Sequence, residues 1–530
     1  MLYKVAAGGA SWAAGHGGHP SHPCHRHSIS LPDFPDLKVL SIDAAPVQNH
    51  TFREDPGANP PNDPTLAPDF CNVTVSYTHP GWHDVVTINV YLPDRDEWNG
   101  RYMANGGGGL VTGGVSTDEF SMLPGLAHGY AVATTDGGHE SSATEVPWAL
   151  TSPGNVNWPL LVDFASAALH DMAVVGKALV EAYYGEPAAR SYFYGASTGG
   201  RQGHMLAQRY PGDFDGVAAN MPAMNWARFL WSNLWPAFVM DQIGFYPRPC
   251  EMDAITLAAL AACDPLDGIE DGIISRMDLC EFDARDLVGK EFDCGGTPSK
   301  FSEGAATIAM AAWGGPRSST GEFQWYGFSR SANLTVPGVG CAATQCDENG
   351  KNCQPVRFPI SESWARYWVK KDPEFSMAGI SHDVWDELIR ASINEYTSVI
   401  GTEDPDLTGL RKSGAKLITW HGEADEDIPM NGTVDYYDRV LERDPQASEY
   451  FRFFVSPGSQ HCYTCGVVPH VMDVMGVLVD WVEKGNEPDI LRAKGKNRDG
   501  VALERDACVY PRVQHYVGGD MADPSSFACV

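Results

Sequence analysis

Three polar residues far apart in the chain are of the types that nucleophilic acyl chemistry requires. Ser197 stands in Tyr192-Phe193-Tyr194-Gly195-Ala196-Ser197-Thr198-Gly199-Gly200, an aromatic run ending in Gly-x-Ser-x-Gly and followed by a helix-compatible segment, Arg201 to Tyr210. This is the sequence form of a nucleophile elbow, a sharp strand-to-helix turn that lifts a serine hydroxyl above a sheet. A Gly/Ser-rich loop in a chain with 55 glycines matches the same pentapeptide by chance, so its context must decide. Two later loops supply that context. His421-Gly422-Glu423-Ala424-Asp425 offers a carboxylate, and Pro457-Gly458-Ser459-Gln460-His461-Cys462 an imidazole. A serine hydroxyl is a weak nucleophile; an imidazole at His461 would take its proton, and a carboxylate at Asp425 would orient the ring. Glu423 and Asp427 are alternative orienting acids, while His421 and His204 read as structural. The oxyanion that such chemistry generates needs N–H donors. Thr198, next after the serine, provides one, and Gly107 or Gly108 in Asn105-Gly106-Gly107-Gly108-Gly109 a second.

A different chemistry is written in Cys263-Asp264-Pro265-Leu266-Asp267-Gly268-Ile269-Glu270-Asp271-Gly272-Ile273. Clustered carboxylates with turn-forming glycines suit a hard, oxygen-seeking cation such as calcium, although the spacing is not that of an EF-hand. Asp264, Asp267 and Asp271 would give side-chain oxygens, and Ile269 and Ile273 backbone carbonyls. The alternative is an exposed acidic turn.

The elements that must position these groups follow from periodicity. Cys71 to Tyr77 and Val85 to Leu92 alternate as antiparallel strands. A strand at Arg101–Asn105 runs into the four glycines, and another at Gly129–Thr135 leads to Asp136-Gly137-Gly138-His139. Phe164 to Tyr184 has helical spacing (Leu169, Met172, Val175, Leu179, Val180), and the elbow strand follows it. Strand, helix and strand in that order make a βαβ unit with a parallel sheet. Sheet character stops after Ala223 and resumes at Gly414–Trp420 and Tyr450–Val455, each time just ahead of the aspartate and histidine loops. The order Ser, Asp, His at strand ends is that of α/β-hydrolases. The expected organisation is a flexible leader over 1–37, a catalytic domain over 38–225 and 392–530, and an inserted lid domain over 226–391 that carries the acidic loop. Trp226, Phe229, Trp231, Trp235 and Phe238 in the insertion are either walls for a bound ring or apolar core.

Composition bounds the partners. The 530 residues are 43% hydrophobic and 20% charged, with 68 acidic against 37 basic residues and a net charge of −31. Such a chain is repelled by nucleic acid and anionic membranes, and no apolar run is long enough for a transmembrane helix. The 13 cysteines recur in close sets, including Cys250/Cys263, Cys280/Cys294, Cys341/Cys346/Cys353 and Cys508/Cys529, with Cys24 and Cys71 as further disulfide candidates. They point to an oxidising compartment, as do sequons at Asn49, Asn72, Asn333 and Asn431. Met1 to Ala14 is a poor signal peptide, so secretion rests on cysteines and sequons. The leader's His16, His19, His22, His25 and His27 form a tract of the kind that binds transition metals or is simply solvated.

With these residues assembled, the chain resembles the tannase and feruloyl esterase family of secreted serine esterases. The resemblance runs from about residue 38 to the C-terminus. It rests on the glycine-rich strand end, Gly-x-Ser-Thr-Gly-Gly-Arg-Gln (195–202), the acidic loop (263–272), His-Gly-x-x-Asp (421–425), Pro-Gly-x-x-His-Cys (457–462) and Trp481-Val-Glu-Lys-Gly485. It implies an α/β-hydrolase fold with a large inserted lid, calcium in that lid, and esters of gallic, ferulic or related aromatic acids as substrates. A broader carboxylesterase and a catalytically impaired binding module are the alternatives. One departure bears on the site. The family pattern has a cysteine immediately before the nucleophile, bonded to the cysteine after the histidine; here that position is Ala196. Cys462 is therefore expected to pair with Cys465 or to stay free, leaving the serine and histidine loops without a covalent tie.

Overall fold

The computed structural model describes residues 24–53, 63–114, 122–139, 142, 146–461, 470–497 and 500–530. Its centre is a mixed sheet built from β1 (Lys38–Val47), β2 (Phe70–Thr78), β3 (Val86–Pro93), β4 (Arg101–Asn105), β5 (Ala131–Thr135), β6 (Arg190–Ala196), β7 (Gly216–Asn220), β8 (Lys416–Gly422), β9 (Phe451–Ser456), β10 (His470–Val471), β11 (Ile490–Lys496) and β12 (Ala502–Val509). The order across the sheet is β1-β2-β3-β5-β4-β6-β7-β8-β9-β12-β11-β10. Strands β5 to β9 in that order run parallel, and antiparallel strands flank them.

The flanks show why alternation marks an antiparallel strand. In β2, Val73, Val75 and Tyr77 are buried and the residues between them are half-exposed; Val73 lies opposite Val90 of β3 and Val75 opposite Ile88. The parallel centre is covered on both faces, so β6 and β7 read as nearly continuous apolar runs instead. Helix α1 (Trp158–Ala165) precedes α2 (Ala167–Tyr184). The periodic residues Leu169, Met172, Val175, Leu179 and Val180 are all fully buried against the sheet. Helix α3 (Thr198–Arg209) starts directly after Ser197 and packs on β6 and β7.

The chain leaves the sheet after Asn220 and returns at Lys416. The excursion holds α4 (Trp226–Ile243), α5 (Pro249–Cys263), α6 (Glu303–Gly314) and α7 (His382–Tyr396). Helix α7 runs straight across the boundary expected at 391, because its amphipathic pattern does not stop where the composition changes. The five aromatic residues weighed as ring walls are core: Trp226, Phe229, Trp231, Trp235 and Phe238 are all buried in one aromatic cluster. Trp231 and Trp235 meet Trp385 of α7 edge-on or tilted, with ring centroids 5.5 and 5.3 Å apart.

Cysteine pairing is nested. Cys250 joins Cys294 and Cys263 joins Cys280, so the nearest neighbours in sequence do not pair; Cys24–Cys71, Cys346–Cys353 and Cys508–Cys529 complete the described bridges. Cys341 is a buried free thiol. Cys462 and Cys465 lie outside the described residues, as do His16, His19 and His22. The expectation of a flexible leader up to 37 needs correction at its end: Cys24 is bonded to β2, and Ile29 is buried against the core because it covers apolar strand residues. Of the sequon asparagines, Asn49 and Asn431 are exposed. Asn72 lies within β2 between two paired strands, and the Asn333 side chain accepts from the Thr335 N–H.

Candidate active site

Parallel strands release their chains at one edge, and four adjacent strands deliver the site there. Ser197 follows β6, the excursion follows β7, Asp425 follows β8 and His461 follows β9. Ser197 is held at φ 61° and ψ −123°, a conformation side chains avoid, which is the strained turn of a nucleophile elbow. Gly195 is required because a β-carbon there would collide with the Gly199 carbonyl. The strain is retained by ordinary hydrogen bonds: Ser197 N–H donates to Asn220 O (3.1 Å), and Ala223 N–H donates to Ser197 O (3.0 Å).

The three side chains meet. His461 Nε2 lies 2.9 Å from Ser197 Oγ, and His461 Nδ1 lies 2.8 Å from Asp425 Oδ2. The other two acids are placed otherwise. Glu423 accepts from Ser329 and Ser331 of the excursion, and Asp427 Oδ2 is 3.7 Å from His461 Nε2 on the serine side of the ring. Asp425 is saturated: its Oδ1 accepts N–H groups of Asp427 (2.9 Å) and Ile428 (2.7 Å), and its Oδ2 also faces His421 Nε2 (3.0 Å).

The electrostatics follow from this wiring. Burial alone would raise the Asp425 carboxyl, but the charge of His461 and hydrogen bonds from both rings hold it below the usual carboxylate range. Burial alone would discharge His461; the charges of Asp425 and Asp427 and the bond to Asp425 outweigh it and push the imidazole up to about 10. Glu426, whose Oε2 accepts the His461 backbone N–H at 3.1 Å, is pushed up to about 7 by burial and by the neighbouring Asp425 charge.

The oxyanion donors divide. Thr198 opens α3, so its N–H has no intrahelical acceptor and points with the positive end of the helix. Gly107 is corrected: its N–H donates to Gln202 Oε1 (3.0 Å) and its carbonyl accepts from Gly199 N–H (3.0 Å), so it fastens the glycine loop to α3. Gly108 is the open position, with nothing within 4 Å of where a β-carbon would stand.

The serine and histidine loops have no covalent tie through residue 196, yet the histidine loop is anchored. Glu423 N–H donates to Ser456 O (2.9 Å), Ala424 N–H donates to Ser459 O (3.0 Å), and the hydroxyls of Ser456 and Ser459 are 2.6 Å apart. His421 is structural, as its sequence reading expects, and hydrogen-bonds its own loop; the partner that reading did not name is Asp425. His421 is fully buried, with Nδ1 on the Thr433 hydroxyl (2.9 Å) and Nε2 shared between Asp425 and Ile428 O (3.2 Å). The four-residue spacing of His421 and Asp425 was the available signal.

The acidic loop folds on itself. Asp264 accepts N–H groups of Asp271 (3.1 Å) and Gly272 (2.8 Å), Asp267 accepts that of Ile269 (3.1 Å), and Asp271 accepts that of Ile273 (3.0 Å) and pairs with buried Arg505 (2.6 Å). Three buried carboxylates face one guanidinium, and Asp267 Oδ2 is buried without a partner. That donor chemistry fits calcium, although the three carboxylates are not drawn within 4.8 Å of one another.

A nucleophile elbow, an imidazole bridging serine and carboxylate, and a parallel-stranded platform define an α/β-hydrolase. The whole chain agrees. Residues 71–530 match the family model described as tannase and feruloyl esterase, and the chain belongs to that family. It is 40% identical to a probable feruloyl esterase of Arthroderma benhamiae, over 95% of this chain and 93% of that protein. It is 29% identical to the tannase of Aspergillus oryzae, over 88% and 86%. Among solved structures, the tannin acyl hydrolase of Aspergillus niger superposes with a TM-score of 0.84 at 25% identity, covering 95% of this chain and 94% of that one. Feruloyl esterase B of Aspergillus oryzae shares the fold, with a TM-score of 0.76 at 24% identity, covering 94% and 98%. The protein is a carboxylic ester hydrolase.

Proposed function

We propose that this chain is a secreted serine esterase that cleaves esters of aromatic acids, gallate or hydroxycinnamate, through an acyl-enzyme on Ser197. The observation that carries the reading is His461 bridging Ser197 Oγ and Asp425 at hydrogen-bond distance on both sides. Ser197 Oγ attacks the ester carbonyl as its proton passes to His461 Nε2, and Asp425 steadies the imidazolium. The oxyanion is received by the N–H groups of Thr198 and Gly108, each typically contributing roughly 10²–10³ in rate. Collapse of the intermediate breaks the ester C–O bond, and His461 returns the proton to the departing alkoxide. Water then repeats the sequence on the acyl-serine and releases the acid. The substrate class rests on the names of the relatives. A cleft of about 550 Å³ lined by Asp136, His139 and Trp148 includes none of the three site residues and carries no part of this reading. Secretion rests on the disulfides.

The test compares wild type with Ser197→Ala on methyl ferulate and methyl gallate, with fluorophosphonate labelling alongside. Wild type is expected to turn over at least one ester and to label at Ser197, and the variant to do neither while melting at the same temperature. Equal turnover by both proteins would remove Ser197 from the chemistry, and an unlabelled, inactive wild type would make the chain a binding module.

The acidic loop is read as a calcium site held by Asp264, Asp267, Asp271 and the carbonyls of Ile269 and Ile273. Bound calcium would neutralise carboxylates that otherwise repel one another, and its role is structural. Chelation is expected to lower the melting temperature more than it changes kcat; an unchanged melting temperature refutes the site.

A further inference from the structure

Away from Ser197, the turn between β2 and β3 meets α1 and α2 in a knot of ionisable groups that the esterase chemistry does not use. His79 and Asp84 lie on the turn, Asp163 on α1 and Asp171 on α2. His79 Nδ1 is 2.5 Å from Asp84 Oδ2 and 3.7 Å from Asp163 Oδ1, while Nε2 is 3.0 Å from Asp171 Oδ2. Tyr77 donates its hydroxyl to the same Asp171 oxygen (2.8 Å), and Trp82 lies against the His79 ring. Asp84 Oδ1 accepts from the Thr78 hydroxyl and the His79 N–H.

Two features single out this knot. The side chain of Asp163 is completely buried, lies 3.7 Å from the imidazole, and receives no N–H or neutral hydroxyl on either oxygen; beside it is the Asp84 carboxyl. Among the described residues, no lysine or arginine comes within salt-bridge distance of Asp84, Asp163 or Asp171. Three carboxylates thus surround one imidazole in a dry place, and even a charged ring leaves the group negative. Such a deficit must be relieved, because an unpaired buried charge is strongly unfavourable.

Either a proton shared between Asp163 and Asp84 or a cation would relieve it. The geometry favours the cation. One ligand atom each from His79, Asp84 and Asp163 lie within 4.8 Å of one another, near enough that small side-chain movements would bring them to the roughly 3–4 Å that separates ligands on one ion with bonds of about 2.0–2.2 Å. The far ring nitrogen has the outer partner that metal-bound histidines require, because Nε2–H donates to Asp171, itself held by Tyr77; Nδ1 shares a proton with Asp84 at 2.5 Å, and an ion that displaces this proton would take up the Nδ1 lone pair. One imidazole with two carboxylates suits zinc and its first-row neighbours, whereas calcium takes oxygen alone.

We propose that His79, Asp84 and Asp163 form a binding site for a divalent transition-metal ion of the zinc type, with Asp171 as the carboxylate that orients His79. The ion would clamp the β2–β3 turn onto the α1–α2 junction. That junction supports the elbow, because Arg201 of α3 donates to Phe164 O and Ala165 O, each at 2.9 Å.

The full chain, chelated and then kept in excess calcium to fill the oxygen loop, is titrated with zinc by calorimetry, with bound zinc counted by mass spectrometry. Wild type is expected to bind one equivalent that Asp163→Asn and His79→Gln lose or bind about tenfold or more weakly. Zinc should raise the melting temperature of wild type only. Zinc-edge X-ray absorption of wild type should show a single imidazole in an oxygen shell, which keeps the idea testable if the variants fail to fold. The proposal falls if wild type binds no zinc at micromolar concentration, or if Asp163→Asn binds with unchanged stoichiometry and affinity. A shell of several imidazoles would assign the metal to the leader histidines and overturn it equally.

Discussion

Two histidines in this molecule sit among carboxylates, and they are wired in opposite senses. His461 has a carboxylate on Nδ1 and a hydroxyl on Nε2. Its carboxylate is saturated by a second imidazole and two backbone N–H groups. His79 has carboxylates on both nitrogens and a third, Asp163, 3.7 Å from Nδ1 and without an N–H donor of its own. The first arrangement can pass a proton, because Ser197 Oγ carries one that the ring takes in its neutral form. The second has no such hydroxyl at the ring and too few positive groups. Identical residue types make a relay in one place and a cation cage in the other. The occupant of the second ring nitrogen decides which.

Several substitutions would break or sharpen that contrast. The largest effect is expected from Asp425→Asn, which keeps the shape of the site but favours the wrong His461 tautomer; kcat should fall about 10⁴-fold. Steady-state hydrolysis of methyl ferulate measures it, and a loss under tenfold would hand the orienting role to Asp427. Next comes His421→Phe, which removes one donor from Asp425 and leaves the ring volume. A hydrogen bond to a charged group is worth about 1.5–3 kcal/mol, so kcat should fall roughly 10–150-fold. An unchanged kcat would make His421 only a core residue. The smallest change is expected from Glu426→Gln, which still accepts the His461 N–H but removes a negative charge that holds the imidazolium. The neutral ring is the base, so the acid limb of kcat/KM should move to lower pH; a shift to higher pH would contradict the assignment. Linkage gives a matching sign for stability. Because the folded-state value of His461 is raised from 6.5 to about 10, its contribution is complete below 6.5 and disappears as pH rises through 10.

Much of the esterase site was legible in the chain. The elbow pentapeptide, the His-Gly-x-x-Asp loop and the Pro-Gly-x-x-His loop each follow an apolar run, and these runs are parallel strands β6, β8 and β9 at the centre of the sheet, with β7 between β6 and β8. The helical spacing of Leu169 to Val180 was equally readable, since burial on one face leaves a 3.6-residue period. Other features left no trace. Gln202 on Gly107, Glu423 latched by Ser329 and Ser331, and His79 meeting Asp171 across 92 positions join residues whose own neighbours say nothing of the partner. The aromatic run from Trp226 to Phe238 was ambiguous for a related reason: a ring that lines a cleft and a ring that fills a core have the same local pattern.

The sequence by itself determined the hydrolase class, the chain order of serine, aspartate and histidine, and the glycine-dependent turn that presents the serine. These depend on backbone conformations and periods that a few adjacent residues impose. Tertiary structure alone decided that Gln202 takes the Gly107 N–H, that Asp425 rather than Glu423 or Asp427 meets Nδ1, and that Asp163 is buried beside His79 without an N–H donor. A hydrogen bond or a buried charge depends on every group packed around it, and those groups come from distant parts of the chain.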